Sequence, residues 1–169
     1  VMTEGYRSPG HNSAYYDEDT GRYYLIFHTR FAMKGEAHQV RVHQMFMNED
    51  GWPVIAPYRY AGEILDTYTE EEVIGEYKLI DHGRDISAEI HLSTTIKLQE
   101  DGRVVGSRTG TWELKEGNKI IIYLDNKAYK GFFLQQYDTN NKYMVMTFTA
   151  LNEKDGTAIW GSAVAKNPS

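Results

Sequence analysis

The sequence predicts an all-β protein: a four-stranded antiparallel sheet followed by a small antiparallel barrel of about eight strands. Three observations carry this. Hairpin-type turn signals recur six times in 169 residues, at 17–21, 48–51, 100–102, 115–118, 138–141 and 153–156. Their Asp and Asn side chains accept local backbone hydrogen bonds, and the glycines among them take the positive φ of a tight loop. The stretches between turns alternate with period two, as where Ile90, Leu92, Thr94, Ile96 and Leu98 interleave with Glu89, His91, Ser93, Thr95 and Lys97. Helix is confined to one acidic turn, where Thr69 and Glu72 stand at capping-box spacing.

The first unit, residues 1–62, offers four strands, near 11–16, 23–31, 39–48 and 54–57. Pro53 and Pro57 limit the last to an edge strand or a loop, because proline cannot donate to a ladder. Four strands cannot close, and a lone sheet of that size leaves a face without a core, so something must cover it. It is also the size of one β-propeller blade, which is stable only against its neighbours.

The second unit, residues 63–169, differs in composition: the first 62 residues hold 7 of the 13 Tyr and carry a net charge of -1, and the remainder carries -5. Its strands are expected at 73–81, 89–99, 103–107, 109–114, 119–124, 129–137, 142–151 and 157–165. Closure into a barrel removes the exposed edges that eight short strands would leave. Interior candidates are Ile90, Leu92, Ile96, Trp112, Leu114, Ile120, Ile122, Phe132, Leu134, Phe148 and Trp160.

Composition excludes several functions. With no cysteine there is no disulfide, zinc thiolate, iron–sulfur cluster or thiol nucleophile. No apolar stretch approaches the roughly 20 residues of a membrane helix. A net charge of -6 without a Lys/Arg cluster argues against a nucleic-acid partner. The N-terminus has no basic region, apolar run or cleavage site, and reads as if entered midway through a longer protein.

Candidate chemistry is sparse. From spacing alone, His11 after Pro9-Gly10 is a turn histidine. His38 and His43, five apart on a strand, point to opposite faces and cannot share a metal. Residues 17–21 superficially match a calcium loop, but Gly21 is one place early and His28 stands where Glu is needed, so the segment is a hairpin turn. Glycosidases need two carboxyl groups roughly 5 to 9.5 Å apart, and no pair here is placed at that separation by sequence. Gly110-Thr111-Trp112 carries the Gly-x-Trp of lipocalin-like barrels, which supplies a second reading: a non-catalytic module holding a sugar or small apolar ligand in the barrel mouth.

A resemblance adds to this. Ser8-Pro9-Gly10-His11-Asn12-Ser13, residues 23–30, residues 40–45, Asp50-Gly51-Trp52-Pro53-Val54 and Pro57-Tyr58-Arg59-Tyr60 together resemble the last blade of the bacterial endo-α-1,5-L-arabinanases of glycoside hydrolase family 43. The likeness extends less specifically through the barrel, since larger extracellular members append one. The resemblance implies a five-bladed propeller whose last blade is 1–62 and an accessory barrel at 63–169. It implies a secreted, arabinan-hydrolysing enzyme acting by inversion, with its acid and base on an N-terminal propeller segment that is a separate chain or a missing part, so that this chain contains no catalytic residue. It also implies that His11 is the one protein ligand of a calcium ion at the propeller axis, the rest being largely water. Asn12 and Ser13 line the same cavity or satisfy local backbone groups.

Overall fold

The computed structural model describes residues 6–31, 35, 37–86 and 90–164. Among them the hairpin signals deliver twelve strands and one short helix. Strands β1 (Arg7–Asp17), β2 (Arg22–Arg30), β3 (Gln39–Met47) and β4 (Pro53–Ile55) form an antiparallel meander in that order. The β1–β2 turn closes as its composition demands: the Gly21 N–H donates to Asp17 O at 2.8 Å, with Gly21 at φ 68°. The Asp17 carboxylate caps the turn by accepting from the Asp19 N–H and the Thr20 hydroxyl. β4 is a three-residue edge strand, the place Pro53 allows.

The chain then runs back along β3, with Ala56 N–H donating to Gln44 O and Tyr60 N–H to Val42 O. It reaches helix α1 (Glu70–Val73), capped by the Thr69/Glu72 capping box. Val73 is fully buried and its carbonyl accepts from the Tyr77 hydroxyl at 2.6 Å, which seats the helix against the barrel core.

The barrel consists of β5 (Gly75–Asp81), β6 (Thr94–Leu98), β7 (Arg103–Gly106), β8 (Gly110–Lys115), β9 (Lys119–Leu124), β10 (Lys127–Asp138), β11 (Tyr143–Leu151) and β12 (Ala158–Ala163). It closes antiparallel because β5 pairs with both β6 and β12. Its lumen is filled: Tyr77, Leu79, Ile96, Leu98, Trp112, Ile120, Ile122, Tyr129, Phe133, Phe148 and Ile159 form one buried cluster. Small barrels are filled by side chains in this way.

Ile96, Trp112, Ile120, Ile122 and Phe148 lie inside as expected, and Leu114 packs partly buried against them. Five other interior candidates do not. Leu92 is 82% exposed and Ile90 lines the outside, because pairing of β5 with β6 ends at Leu79↔Thr94 and the described residues 90–93 pair with no strand. The expected 89–99 strand is thereby cut to five residues, and Glu89 lies outside the described residues. Phe132, Leu134 and Trp160 are buried, but on the outer wall. Tyr129 and Phe133 face the lumen, so Phe132 and Leu134 on the same pleated strand face the other way. At the other ends, Val73 belongs to α1 rather than to a strand, β12 stops at Ala163, and the expected strand residue Ala165 lies outside the described residues.

That outer wall covers one face of the sheet. Gln136, 1% exposed, grips the backbone of Tyr58 at both ends: its Oε1 accepts from the N–H at 3.0 Å and its Nε2 donates to the carbonyl at 3.1 Å. Trp160 Nε1 donates to Ile55 O at 2.7 Å, and Asn48 Nδ2 donates to Lys130 O at 3.2 Å. The Glu63 carboxylate accepts from Ala61 N–H and Tyr137 N–H. Phe46 packs on Phe132 with ring centroids 5.3 Å apart. Every polar group named here that the contact buries has a partner, which such a contact requires.

Candidate functional site

Among the described residues β1 forms an edge of the sheet, and its backbone is irregular where His11 sits. The β1–β2 register slips between Arg7 and Gly10 and again between Gly10 and Ser13, and Ser8 and His11 adopt φ of 45° and 52°. A non-glycine residue held at positive φ within a strand is a bulge that re-aims a side chain. The His11 side chain is exposed, its ring 5.8 Å from that of His28, which in turn meets His38 edge-on at 4.6 Å. Partial desolvation, then the neighbouring His38, His11 and Arg30 charges, hold His28 below the usual imidazole value.

Calcium takes six to eight oxygen ligands. Here the chain offers one imidazole, and among the described residues no group of three His, Cys, Asp or Glu side chains stands where it could hold a metal ion. The residues present therefore fit one ligand position completed from elsewhere, and do not by themselves form a metal site. His38 is exposed just before β3, and His43 is fully buried within it.

A second constellation sits where sheet and barrel meet. His43 Nδ1 lies 2.7 Å from the Ala56 carbonyl, which only accepts, so Nδ1 carries the proton. Nε2 then accepts from the Tyr6 hydroxyl at 2.7 Å. Burial pushes His43 down to about 4, against the opposing Ala56 bond, and pushes Tyr6 upward. The Trp160 ring stacks on His43 at 6.0 Å and 11°, and His82 meets the same Trp160 edge-on at 4.2 Å. His82 is likewise depressed to about 4, chiefly by burial. Its Nε2 is buried and has no hydrogen-bond partner.

At the barrel rim Arg108, its side chain 17% exposed, donates Nε to Asp125 at 2.6 Å and Nη1 to Asp81 at 3.0 Å, with its guanidinium over the Tyr129 ring. This clamp ties β5 to the turn after β9 and closes that end of the core. No local pattern marks this pairing or the Trp160–His82 contact, since both depend on residues far apart in the chain.

None of these features is an acid–base pair. A glycosidase's general acid needs a raised carboxyl pKa. Among the described residues every carboxyl whose acidity is shifted is shifted down: Asp17 by the Thr20 hydroxyl, Asp101 by Arg103, Glu116 by Lys119 and Asp155 by Lys127. In Asp138 burial opposes the Asn141 and Asn140 donors, and the donors win.

Comparison with known proteins places this geometry. Residues 57–161 match the GH43_C family model, a C-terminal lipocalin-like domain. The chain is 56% identical over 158 residues to extracellular endo-α-(1→5)-L-arabinanase 2 of Bacillus subtilis (strain 168), and 48% identical over 163 residues to the extracellular endo-α-(1→5)-L-arabinanase of Thermotoga petrophila. These alignments cover 94% and 95% of the chain but 34% of each relative, so the chain spans about a third of the length of the curated relatives it matches. The crystal structure of the glycoside hydrolase family 43 YxiA protein of Bacillus licheniformis superposes with a TM-score of 0.94 at 52% identity, covering 97% of this chain and 37% of that one. Endo-1,5-α-L-arabinanase of T. petrophila RKU-1 superposes with a TM-score of 0.92 at 44% identity, covering 98% and 38%.

Proposed function

The chain belongs to the glycoside hydrolase family 43 C-terminal lipocalin-like domain family, and from that premise we propose that it forms the C-terminal part of an extracellular enzyme that hydrolyses internal α-1,5-L-arabinofuranosidic linkages of arabinan. The observation that carries this reading is the extent of the likeness: it runs over 97% of the chain at a TM-score of 0.94, so it takes in both the sheet and the barrel and their mutual placement.

In this reading β1–β4 are the last blade of a five-bladed propeller. The free β1 edge and the exposed Tyr15 and Val40, 54% and 68% accessible, support it, since a lone blade presents such surface to its neighbours. The barrel wall braces the blade through the Gln136–Tyr58 and Trp160–Ile55 bonds, which fixes the sheet that presents His11.

The acid and base belong to other blades. The base activates a water while the acid protonates the leaving oxygen, and inversion follows when the water attacks the opposite face. His11 supplies one imidazole ligand to calcium, with water and the rest of the propeller completing the shell. When bound, calcium polarises and orders those waters. The residues of this chain hold and orient: the β1 bulge aims the imidazole, and Asn12 and Ser13 follow it along the same exposed strand.

The test is product analysis of the full-length enzyme on linear arabinan by NMR. The reading expects mixed short arabino-oligosaccharides whose first-formed reducing ends have the configuration opposite to that of the cleaved bond. Release of arabinose alone, or retained configuration, refutes it.

A further inference from the structure

His11 sits in the least regular stretch of β1. Between Arg7↔Arg30 and Gly10↔His28, and again between Gly10↔His28 and Ser13↔Ile26, three residues of β1 advance against two of β2, so one bulge follows another. Each bulge holds a residue at positive φ, Ser8 in the first and His11 in the second, and Pro9 between them has no N–H to give to the ladder. Backbone held in that region by a residue other than glycine is strained, and it persists only where its surroundings over-determine it. From Ser13 onward the ladder is regular. At the other end the anchor is Tyr6, the residue before the strand. Its ring meets Phe27, Phe31, His43 and Trp160 edge-on, with centroids 5.3 to 6.5 Å away, so the sheet and barrel strand β12 close round it together. Its hydroxyl bonds His43 Nε2 at 2.7 Å, and His43 Nδ1 is fixed in turn on the Ala56 carbonyl. The hydroxyl of fully buried Thr29 donates to the Arg7 carbonyl at 2.9 Å. These anchors stop where the first bulge begins.

We propose that Tyr6 and His43 are positioning residues for His11: they pin the entry of β1 into the junction of sheet and barrel, and so hold the double bulge in the form that aims the His11 imidazole. With Ser13 fixed on one side and Tyr6 on the other, the chain between them has a set span and keeps its two extra residues. Freeing Tyr6 lets Ser8 and His11 relax to extended backbone, which turns the imidazole. Apparent affinity falls with the fraction of protein in the competent form, so a His11 aimed about one-tenth of the time holds its ion about tenfold more weakly. The calcium ion rests on the proposed function, whereas the hold on the bulge does not.

Two measurements test it. In this chain without calcium, the His11 Cα shift and H–N–Cα–H coupling read by NMR report its positive φ. Both should move toward extended values in Tyr6→Ala, and less far in Tyr6→Phe, which keeps the ring and loses only the bond to His43. Val104→Ala, a large-to-small change in the barrel lumen, lowers stability and should move neither. In the full-length enzyme, calcium affinity by isothermal titration should fall about tenfold in Tyr6→Ala and about threefold in Tyr6→Phe. His43→Phe, which keeps a ring against Trp160, should match Tyr6→Phe, and the double variant should be no weaker than either, since both remove one shared bond. Unmoved His11 signals in Tyr6→Ala and Tyr6→Phe, equal movement in Val104→Ala, or parental calcium affinity in every Tyr6 and His43 variant overturns the proposal. Calcium affinity that survives His11→Ala removes the metal ligand from the proposed function. His11 signals moved by Tyr6→Ala then still uphold the hold on the bulge, and unmoved ones overturn it.

Discussion

Lowering the pH from 7 to 5 should destabilise this chain through two buried imidazoles. His43 and His82 are both depressed from 6.5 to about 4, in each case chiefly by burial. In the unfolded chain they take up protons as pH falls below 6.5, whereas in the folded chain they stay neutral until about 4. The unfolded state therefore binds more protons in this window, and stability falls with pH. The stabilising difference is fully present above 6.5 and is lost as pH drops toward 4. At pH 5 each imidazole contributes a loss of about 2 kcal/mol, or about 4 kcal/mol for the pair, from 1.36 kcal/mol per pKa unit. Against a typical total of about 5–15 kcal/mol this is large. Urea unfolding at pH 7, 6 and 5 measures it. Between pH 7 and 5 ordinary carboxylates stay ionised, so the histidines dominate the slope. His82→Phe should remove about half of it. A change under about 1 kcal/mol across the window, or an unchanged slope in His82→Phe, would mean that these imidazoles are not held neutral by burial.

Other perturbations probe separate parts of the structure. A Cβ on Gly161 would come 2.0 Å from Phe148 Cε1, in the centre of the core, so Gly161→Ala should cost at least about 2–3 kcal/mol by overpacking, read from the denaturation midpoint. Gln136→Ala strips both partners from the Tyr58 backbone in the buried contact and should cost about 2–4 kcal/mol; a loss under 0.5 kcal/mol would mean that the contact between sheet and barrel does not hold the fold together. His11→Ala removes an exposed side chain and should leave the unfolding curve of this chain within about 0.5 kcal/mol of the parent. In the full-length enzyme it should lower calcium content by elemental analysis, and unchanged calcium would contradict the assigned role.

What the sequence disclosed and what it hid follow from the length scale of each signal. The β1–β2 turn, the short edge strand at Pro53 and the Thr69 capping box are decided by residues within five positions of each other, and all are present where expected. The barrel count was legible because hairpin loops punctuate it. The facing of β10 was not: the strand is buried on both sides, against the lumen at Phe133 and under the sheet at Phe132 and Leu134, and apolar residues on both faces erase the period-two signal. Leu92 failed for the opposite reason, since its alternation continues past the point where β5 stops offering a partner. His11 was singled out by its flanking residues, and the positive φ beneath it is invisible in composition. His82 stood out in no way: a histidine after a strand and before Gly83 has no local mark, and only the fold brings it against Trp160.

In the proposed enzyme this chain supplies structure and one metal ligand to arabinan hydrolysis, and the acid and base lie on other blades of the propeller. Reducing-end release from linear arabinan tests it directly, comparing this chain alone with the full-length enzyme at equal molarity. Robust release by the full-length enzyme and none above background by the chain alone is expected; hydrolysis by the chain alone would contradict this assignment of roles.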